Sequence, residues 1–281
     1  MMAVIISNPE GFEKKKKIFV KEGLKKIHIL SDFDRTLTRC FDESGKKVIS
    51  IMHHFREKKY ISEDYARKAQ ELFDKYHPIE IDNKISLEEK KKAMLRWWGE
   101  HFKLLIDSGL NKKILDDFAK NTNIYFREGV LDFLDLLNEK NIPLVIISSS
   151  GFGTLIPEFF RKENKLYSNI FSISNVFEFN EKGEVVKIKE PIIHSLNKKE
   201  ASLPENVLEK VLNRKNVILL GDGLEDVQMI SGFEYDNLIK IGFLNEGVEE
   251  NLEGFKKAYD VVIIGDGDFG FVNSFMREIC G

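Results

Sequence analysis

Two aspartates two residues apart, Asp32 and Asp34, follow directly on the apolar run at residues 27–30, and Thr36-Leu37-Thr38 comes next. A bare Asp-x-Asp is ordinarily a pair of loop acids capping a turn. Two carboxylates leaving a buried strand repel each other and are costly to desolvate. At this place the pair makes sense if a divalent cation and a phosphate share the charge. In that chemistry Asp32 attacks phosphorus in line and holds it covalently, which splits one hard step into two easier ones. Asp34 protonates the leaving oxygen and then deprotonates the attacking water.

Three further segments fit the same chemistry. In Leu144-Val-Ile-Ile-Ser148-Ser149-Ser150-Gly151-Phe152-Gly153, hydroxyls and free backbone N–H groups at a strand-to-helix turn suit a phosphoryl oxygen. Ser149 is the expected contact, Ser148 its alternative by one step of register, and Ser150 a second contact on the same turn; a Ser/Gly-rich turn is also simply a turn. In Val217-Ile-Leu-Leu-Gly221-Asp222-Gly223-Leu-Glu-Asp226, Asp222 leaves a strand end and Asp226 follows about one helical turn on. A hard cation such as Mg²⁺ takes carboxylates, waters and substrate phosphate. Asp222 reads as a direct ligand; Asp226 reads as a ligand, as an orienter of a bound water, or as an acid favoured by a helix dipole. Lys198, within Ile192-Ile-His-Ser-Leu-Asn197-Lys198-Lys199, would offset a site overfull of carboxylates and hold a phosphoryl oxygen. A lysine is usually a surface residue, and Lys199 is its stand-in.

The elements that must position these residues are short apolar runs at residues 27–30, 144–147, 217–220, 238–243 and 261–264. Such runs, separated by helical stretches, predict a parallel α/β sheet, with the site just beyond the carboxyl ends of its strands. The charged stretch 43–125 lacks strand runs and has helical periodicity at Tyr65, Ala69, Leu72, Phe73 and Tyr76. It predicts a helical cap inserted into a core made of residues 1–42 and 126–281. Ser86, with Glu89 three residues on, predicts a capped helix start, and the segment from Phe177 to Val186 a β-hairpin turning at 181–183.

The chain has 281 residues, 42% of them hydrophobic, enough for a substantial core. Its 43 basic and 46 acidic residues leave a net charge of −3, which disfavours binding to a nucleic-acid polymer. The basic run at residues 14–17 reads as a solvated helix face. Two distant cysteines, Cys40 and Cys280, exclude a disulfide scaffold and fit a reducing cytosol. The apolar run at residues 1–6 is too short for a signal peptide, and nowhere do about 18 apolar residues run together. The expectation is a soluble cytoplasmic protein, a monomer or weak homo-oligomer.

In this order and spacing the four segments resemble the haloacid dehalogenase superfamily of phosphohydrolases. Asp32-Phe-Asp34-x-Thr-Leu-Thr, Tyr76-His-Pro-Ile-Glu80, Glu88-Glu89-Lys90, Arg127-Glu128-Gly129, Gly151-Phe-Gly153, His194-x-x-Asn197-Lys198, Leu-Leu-Gly221-Asp222 and the stretch from Leu238 to Asn245 are similar to the cytosolic pyrimidine 5′-nucleotidase family. The likeness runs from about Lys25 to the C-terminus. It implies a Rossmann-like core with a helical-bundle cap, Mg²⁺, and hydrolysis of nucleoside 5′-monophosphates, pyrimidines such as UMP and CMP preferred, through an aspartyl-phosphate on Asp32. It also implies that Asp32, Asp222 and the backbone carbonyl of Asp34 hold the metal, supported by Asp226. Gly223 stands where a serine is expected. In the cap, Arg96 precedes Trp97 and Trp98 where the family pattern has a base-recognising glutamate, so this chain presents donors where acceptors are expected. Trp97 is positioned to stack on a base, although aromatic residues at helical spacing commonly form core. Phosphatase activity on a sugar phosphate or a modified nucleotide, or binding without catalysis, are the alternatives.

Overall fold

The structure is a computed structural model that describes residues 3–42, 44–48, 50–57, 60–82, 84–199 and 202–281. Residues 1 and 2 of the N-terminal apolar run, and position 43, where the cap was expected to begin, lie outside the described residues.

Seven strands form one sheet in the order β1-β9-β8-β7-β2-β3-β4. They are β1 (Val4–Ile6), β2 (Ile27–Ser31), β3 (Leu144–Phe152), β4 (Ile170–Asn175), β7 (Asn216–Gly221), β8 (Asn237–Leu244) and β9 (Val261–Ile264). All neighbours pair parallel except β1, which runs antiparallel to β9 at one edge. Alternation places Ile27, Ile29, Ile218, Leu220, Ile239 and Ile241 on one face, and Leu30, Val217, Leu219 and Val145 on the other. Both faces are covered. Helices α1 (Pro9–Glu22), α6 (Val130–Glu139), α7 (Leu155–Lys162) and α10 (Gly270–Cys280) pack on the first; α8 (Glu205–Val211) and α9 (Val248–Ala258) pack on the second. Burial on both sides is why these strands read as continuous apolar runs.

Strand β4 escapes the sequence reading because its residues Ser172 and Ser174 interrupt the apolar run. Strand β1 escapes it because three residues at an antiparallel edge carry little signal. The hairpin forms as expected, from β5 (Phe177–Phe179) and β6 (Val185–Ile188), with Gly183 at φ 76° in the turn.

Between β2 and β3 the chain forms α2 (Ile51–Glu57), α3 (Glu63–Ile81), α4 (Leu87–Asp107) and α5 (Lys112–Asn121). Ser86 and Glu89 form the expected reciprocal cap at the start of α4. Tyr65, Ala69 and Tyr76 of α3 are buried, and so are Met94, His101, Phe102 and Leu105 of α4. Phe102 contacts Phe152 at the end of β3 and Phe177 of β5, while Phe55 of α2 contacts Phe152. The helical unit and the sheet therefore share one apolar cluster. The basic run at residues 14–17 lies on α1, where Lys15 pairs with Asp260 and Lys16 with Glu278. It is partly neutralised and not a free polyanion surface.

Candidate active site

Strand β2 lies between β3 and β7, so the carboxyl ends that carry Asp32, the serine turn and Asp222 are adjacent. The backbone N–H of Asp32 donates to the carbonyl of Leu220 at 3.1 Å, extending the β2–β7 pairing to the first acid. Asp32 is 5% exposed, and one of its oxygens accepts from the Lys198 ammonium at 2.5 Å. The same ammonium reaches Asp226 at 3.2 Å. The other oxygen of Asp226 accepts from the backbone N–H groups of Asp222, at 3.1 Å, and Gly223, at 3.0 Å. Asp226 opens a short 3-10 helix (Asp226–Ile230) and not an α-helix; its carboxylate holds the Asp222 loop in place.

One carboxylate oxygen each from Asp32, Asp222 and Asp226 lies within 4.8 Å of the others. Burial pushes the Asp32 carboxyl up, the Lys198 ammonium pulls it back, and Asp226, Asp222 and Asp34 push it further up. Burial likewise raises Asp222 to about 6 against the pull of Arg35. Burial alone would lower the Lys198 ammonium, but Asp226 and Asp32 together hold it above its ordinary value. Lys198, paired with Asp32 and Asp226, and Arg35, 3.4 Å from Asp222, are two cations among the four carboxylates of Asp32, Asp34, Asp222 and Asp226. The oxygen-only donor set and this surplus of negative charge fit a hard divalent cation.

Asp34 is bonded on both oxygens, from the hydroxyl of Ser150 and from the backbone N–H of Ile51 at 3.0 Å. Burial raises it to about 6, against the lowering effects of Ser150 and Ile51. Of the three serines, Ser148 accepts from the Gly151 N–H, Ser150 is committed to Asp34, and the half-buried Ser149 makes no side-chain hydrogen bond among the described residues. That leaves the Ser149 hydroxyl available to an incoming group. Lys198 is held by its loop: Asn197 bonds the His194 N–H and the Ile192 carbonyl, and Asn175 bonds Ile193 on both sides and the Ser149 carbonyl. Lys199 makes no ion pair among the described residues, whereas Lys198 makes two.

Several residues with no role assigned from the sequence complete the frame. Arg127, 2% exposed, donates to the carbonyls of Thr36 at 2.9 Å, Gly267 at 2.6 Å and Arg35, and to Asn245 at 2.6 Å and Asp266 at 3.2 Å. Its guanidinium lies 4.4 Å from the ring centroid of Phe243. Asn245 also bonds the Arg35 carbonyl at 3.0 Å and Asp222 at 3.4 Å. Arg35 has φ 61°, an unusual backbone state for this residue type, and these two side chains hold its carbonyl. Asn245 follows the end of β8, so the strand-end rule that found Asp32 and Asp222 reaches it too. Arg127 has no comparable signal beyond the resemblance, because it enters from the start of α6.

Arg96 and Trp97, singled out from the sequence, make no hydrogen bond or ion pair with this cluster among the described residues. Arg96 is exposed and makes no hydrogen bond or ion pair among the described residues. Trp97 is half-buried, near-parallel to Tyr76 at 6.0 Å and edge-on to Phe73 at 5.9 Å. The cap does reach the cluster through Glu80 at the end of α3, which accepts from Ser195 at 2.6 Å in the loop that carries Lys198.

Among solved structures, cytosolic 5′-nucleotidase IIIB bound to cytidine superposes with a TM-score of 0.90 at 28% identity, covering 98% of this chain and 93% of that one. A phosphoserine phosphatase captured as a phospho-aspartyl intermediate analogue superposes at 0.53 with 17% identity over 89% of this chain and 98% of that one, a likeness of fold alone. The core thus has the fold of the haloacid-dehalogenase phosphatases, with aspartates at the carboxyl ends of two of its strands. The family model for pyrimidine 5′-nucleotidase (UMPH-1) matches residues 35–280. A Xenopus laevis relative named 7-methylguanosine phosphate-specific 5′-nucleotidase A is 34% identical over 278 residues, 98% of this chain and 95% of the relative. A Mus musculus relative named 7-methylguanosine phosphate-specific 5′-nucleotidase is 36% identical over 260 residues, 92% and 86% of the two chains. The chain belongs to the pyrimidine 5′-nucleotidase (UMPH-1) family and is a phosphoric monoester hydrolase.

Proposed function

We propose that the protein hydrolyses nucleoside 5′-monophosphates, pyrimidine nucleotides preferred, in a cytoplasmic setting, with Asp32 as nucleophile and Asp34 as acid and base. The observation that carries this reading is the triad of buried Asp32, half-buried Asp222 and buried Asp226, with Lys198 bonded to the attacking carboxylate. An oxygen of Asp32 forms the bond to phosphorus as the bond from phosphorus to the ribose 5′-oxygen breaks, and protonated Asp34 gives its proton to that oxygen. The Asp34 carboxylate then takes a proton from water, whose oxygen attacks phosphorus, releasing phosphate and restoring Asp32. Burial pushes the Asp34 carboxyl up to about 6, which suits both transfers at neutral pH.

Lys198 and the Ser149 hydroxyl hold the phosphoryl oxygens, and Ser150 aims Asp34. Mg²⁺ would be held by Asp32, Asp222 and the Asp34 backbone carbonyl, supported by Asp226, and when bound offsets the charge of the phosphoryl group. The helices of 43–125 cover the site as a cap, in which Arg96 and Trp97 face the base. The nucleoside monophosphate is a small-molecule partner, and no nucleic-acid polymer or membrane is required. No helix among the described residues is long and apolar enough to cross a membrane.

A second reading, 7-methylguanosine 5′-monophosphate as the substrate, is favoured by the names of the relatives. Phosphate release from UMP, CMP, 7-methylguanosine 5′-monophosphate and ribose 5-phosphate, with Mg²⁺ and with EDTA, separates the readings. UMP and CMP are expected to be fastest, with no turnover in EDTA and a loss of at least about 10³-fold in Asp32→Asn. Fastest turnover of the methylated purine would install the second reading, and equal turnover of ribose 5-phosphate would remove the nucleotidase assignment.

A further inference from the structure

Helix α2 begins at the reaction centre, where the Ile51 N–H donates to Asp34. Arg56 lies five residues on, roughly 7.5 Å further along the helix axis. It is 8% exposed, and its sole hydrogen bond among the described residues is to Nδ1 of His53 at 3.2 Å. Arginine carries five N–H donors in a rigid fork, and among the described residues one of them is used.

The nearest acids are otherwise engaged: Glu57 takes Lys46 at 2.9 and 3.1 Å, and Asp74 takes the Gln70 amide at 2.7 Å. Neither makes an ion pair with Arg56 among the described residues. The guanidinium lies 5.0 Å from the centroid of Phe73, which stacks on His77 and meets Trp97. A cation–π contact recovers only part of the cost of burying a charge. The buried His101, which bonds Tyr65, is kept neutral by burial and by the Arg56 charge. The aromatic layer of the cap thus surrounds an under-partnered donor fork on the helix that starts at Asp34.

We infer that Arg56 is a specificity-determining residue that donates to carbonyl oxygens of a neutral nucleobase, such as O2 of a pyrimidine, and discriminates against the cationic 7-methylguanine ring. This inference rests on the nucleotidase reading and deepens it. Methylation at N7 removes the acceptor that an arginine would take on guanine and adds a positive charge, which a buried guanidinium repels. Arg96 adds a second positive charge on the same cap, where a carboxylate would have favoured the cationic base.

The test is steady-state kinetics of the wild type, Arg56→Met and Arg56→Lys on UMP, CMP, 7-methylguanosine 5′-monophosphate and p-nitrophenyl phosphate. Arg56→Met should raise KM for UMP and CMP about 10- to 100-fold, the range for a lost hydrogen bond to a charged donor. Its turnover of p-nitrophenyl phosphate should stay within twofold of wild type, and the preference for CMP over the methylated purine should fall. Arg56→Lys should lie between the two. Unchanged KM for UMP and CMP, or an equal loss on p-nitrophenyl phosphate, overturns the assignment. If Arg56→Met does not fold, the same comparison in Arg56→Lys decides it by the same two criteria. The wild-type arm alone tests the nucleotidase reading, so its failure is distinct from a failure of Arg56.

Discussion

Replacing Arg127 tests whether the active-site loop is held in place from behind. The guanidinium satisfies five acceptors behind the loop that follows Asp32. In Arg127→Met, Asp266 keeps the N–H groups of Cys40 and Phe41, and the Arg35 carbonyl keeps Asn245. The acceptors left without these bonds are the Thr36 and Gly267 carbonyls and the side-chain oxygen of Asn245. At about 1–3 kcal/mol for each unsatisfied buried acceptor, less the gain from burying a methionine, the expected loss is about 5 kcal/mol. With an m-value of about 3 kcal/mol per M, that lowers the urea midpoint by roughly 1.5 M. Arg127→Lys offers three donors and should lose about half as much. Activity measured in the folded baseline should fall about 100-fold in Arg127→Met, since releasing the Arg35–Thr36 backbone displaces the acids before it by something like an ångström. An unchanged midpoint with turnover within twofold of wild type would refute the argument.

Gly221→Ala should inactivate the enzyme, because a Cβ there would lie 2.5 Å from Cβ of Asp226 and 2.9 Å from the Tyr259 hydroxyl. Overpacking of this kind costs about 1–3 kcal/mol, and a variant with wild-type turnover would show that Asp226 moves without consequence. Burial and the Arg56 charge lower His101 to about 3. A base whose folded pKa lies below its unfolded value of 6.5 takes up protons on unfolding, so its contribution is full above 6.5 and shrinks as pH falls. Between pH 6.5 and 5 it should decline by about 2 kcal/mol. The measurement is a difference: over that interval the wild type should lose about 2 kcal/mol more unfolding free energy than His101→Gln, and parallel pH profiles would contradict it.

The apolar runs ending in Asp32, Ser148 and Asp222 were legible because a parallel strand buried on both faces needs unbroken hydrophobic residues, so a polar residue at its end stands out. The start of α4 was legible for a local reason: Ser86 and Glu89 satisfy each other across one turn. Strand β4 was not, because a strand broken by serines earns its place by pairing with β3, and pairing leaves no trace in local composition. Arg127 and Glu80 were visible as parts of a resemblance but without roles. Their bonds reach residues 91 and 115 positions away, and no spacing rule operates over such distances.

Sequence by itself determined the α/β class and the family to which the chain belongs, and it marked the acids and the lysine as candidates for the site. These follow from local patterning and from residue types whose chemistry is particular to them. Tertiary structure decided which neighbours share a charge: that Lys198 lies between Asp32 and Asp226, that Ser150 and not Ser149 is committed to Asp34, and that Arg56 is buried with one hydrogen bond among the described residues. Electrostatic coupling falls off over a few ångströms, and only the folded chain brings such distant segments that close.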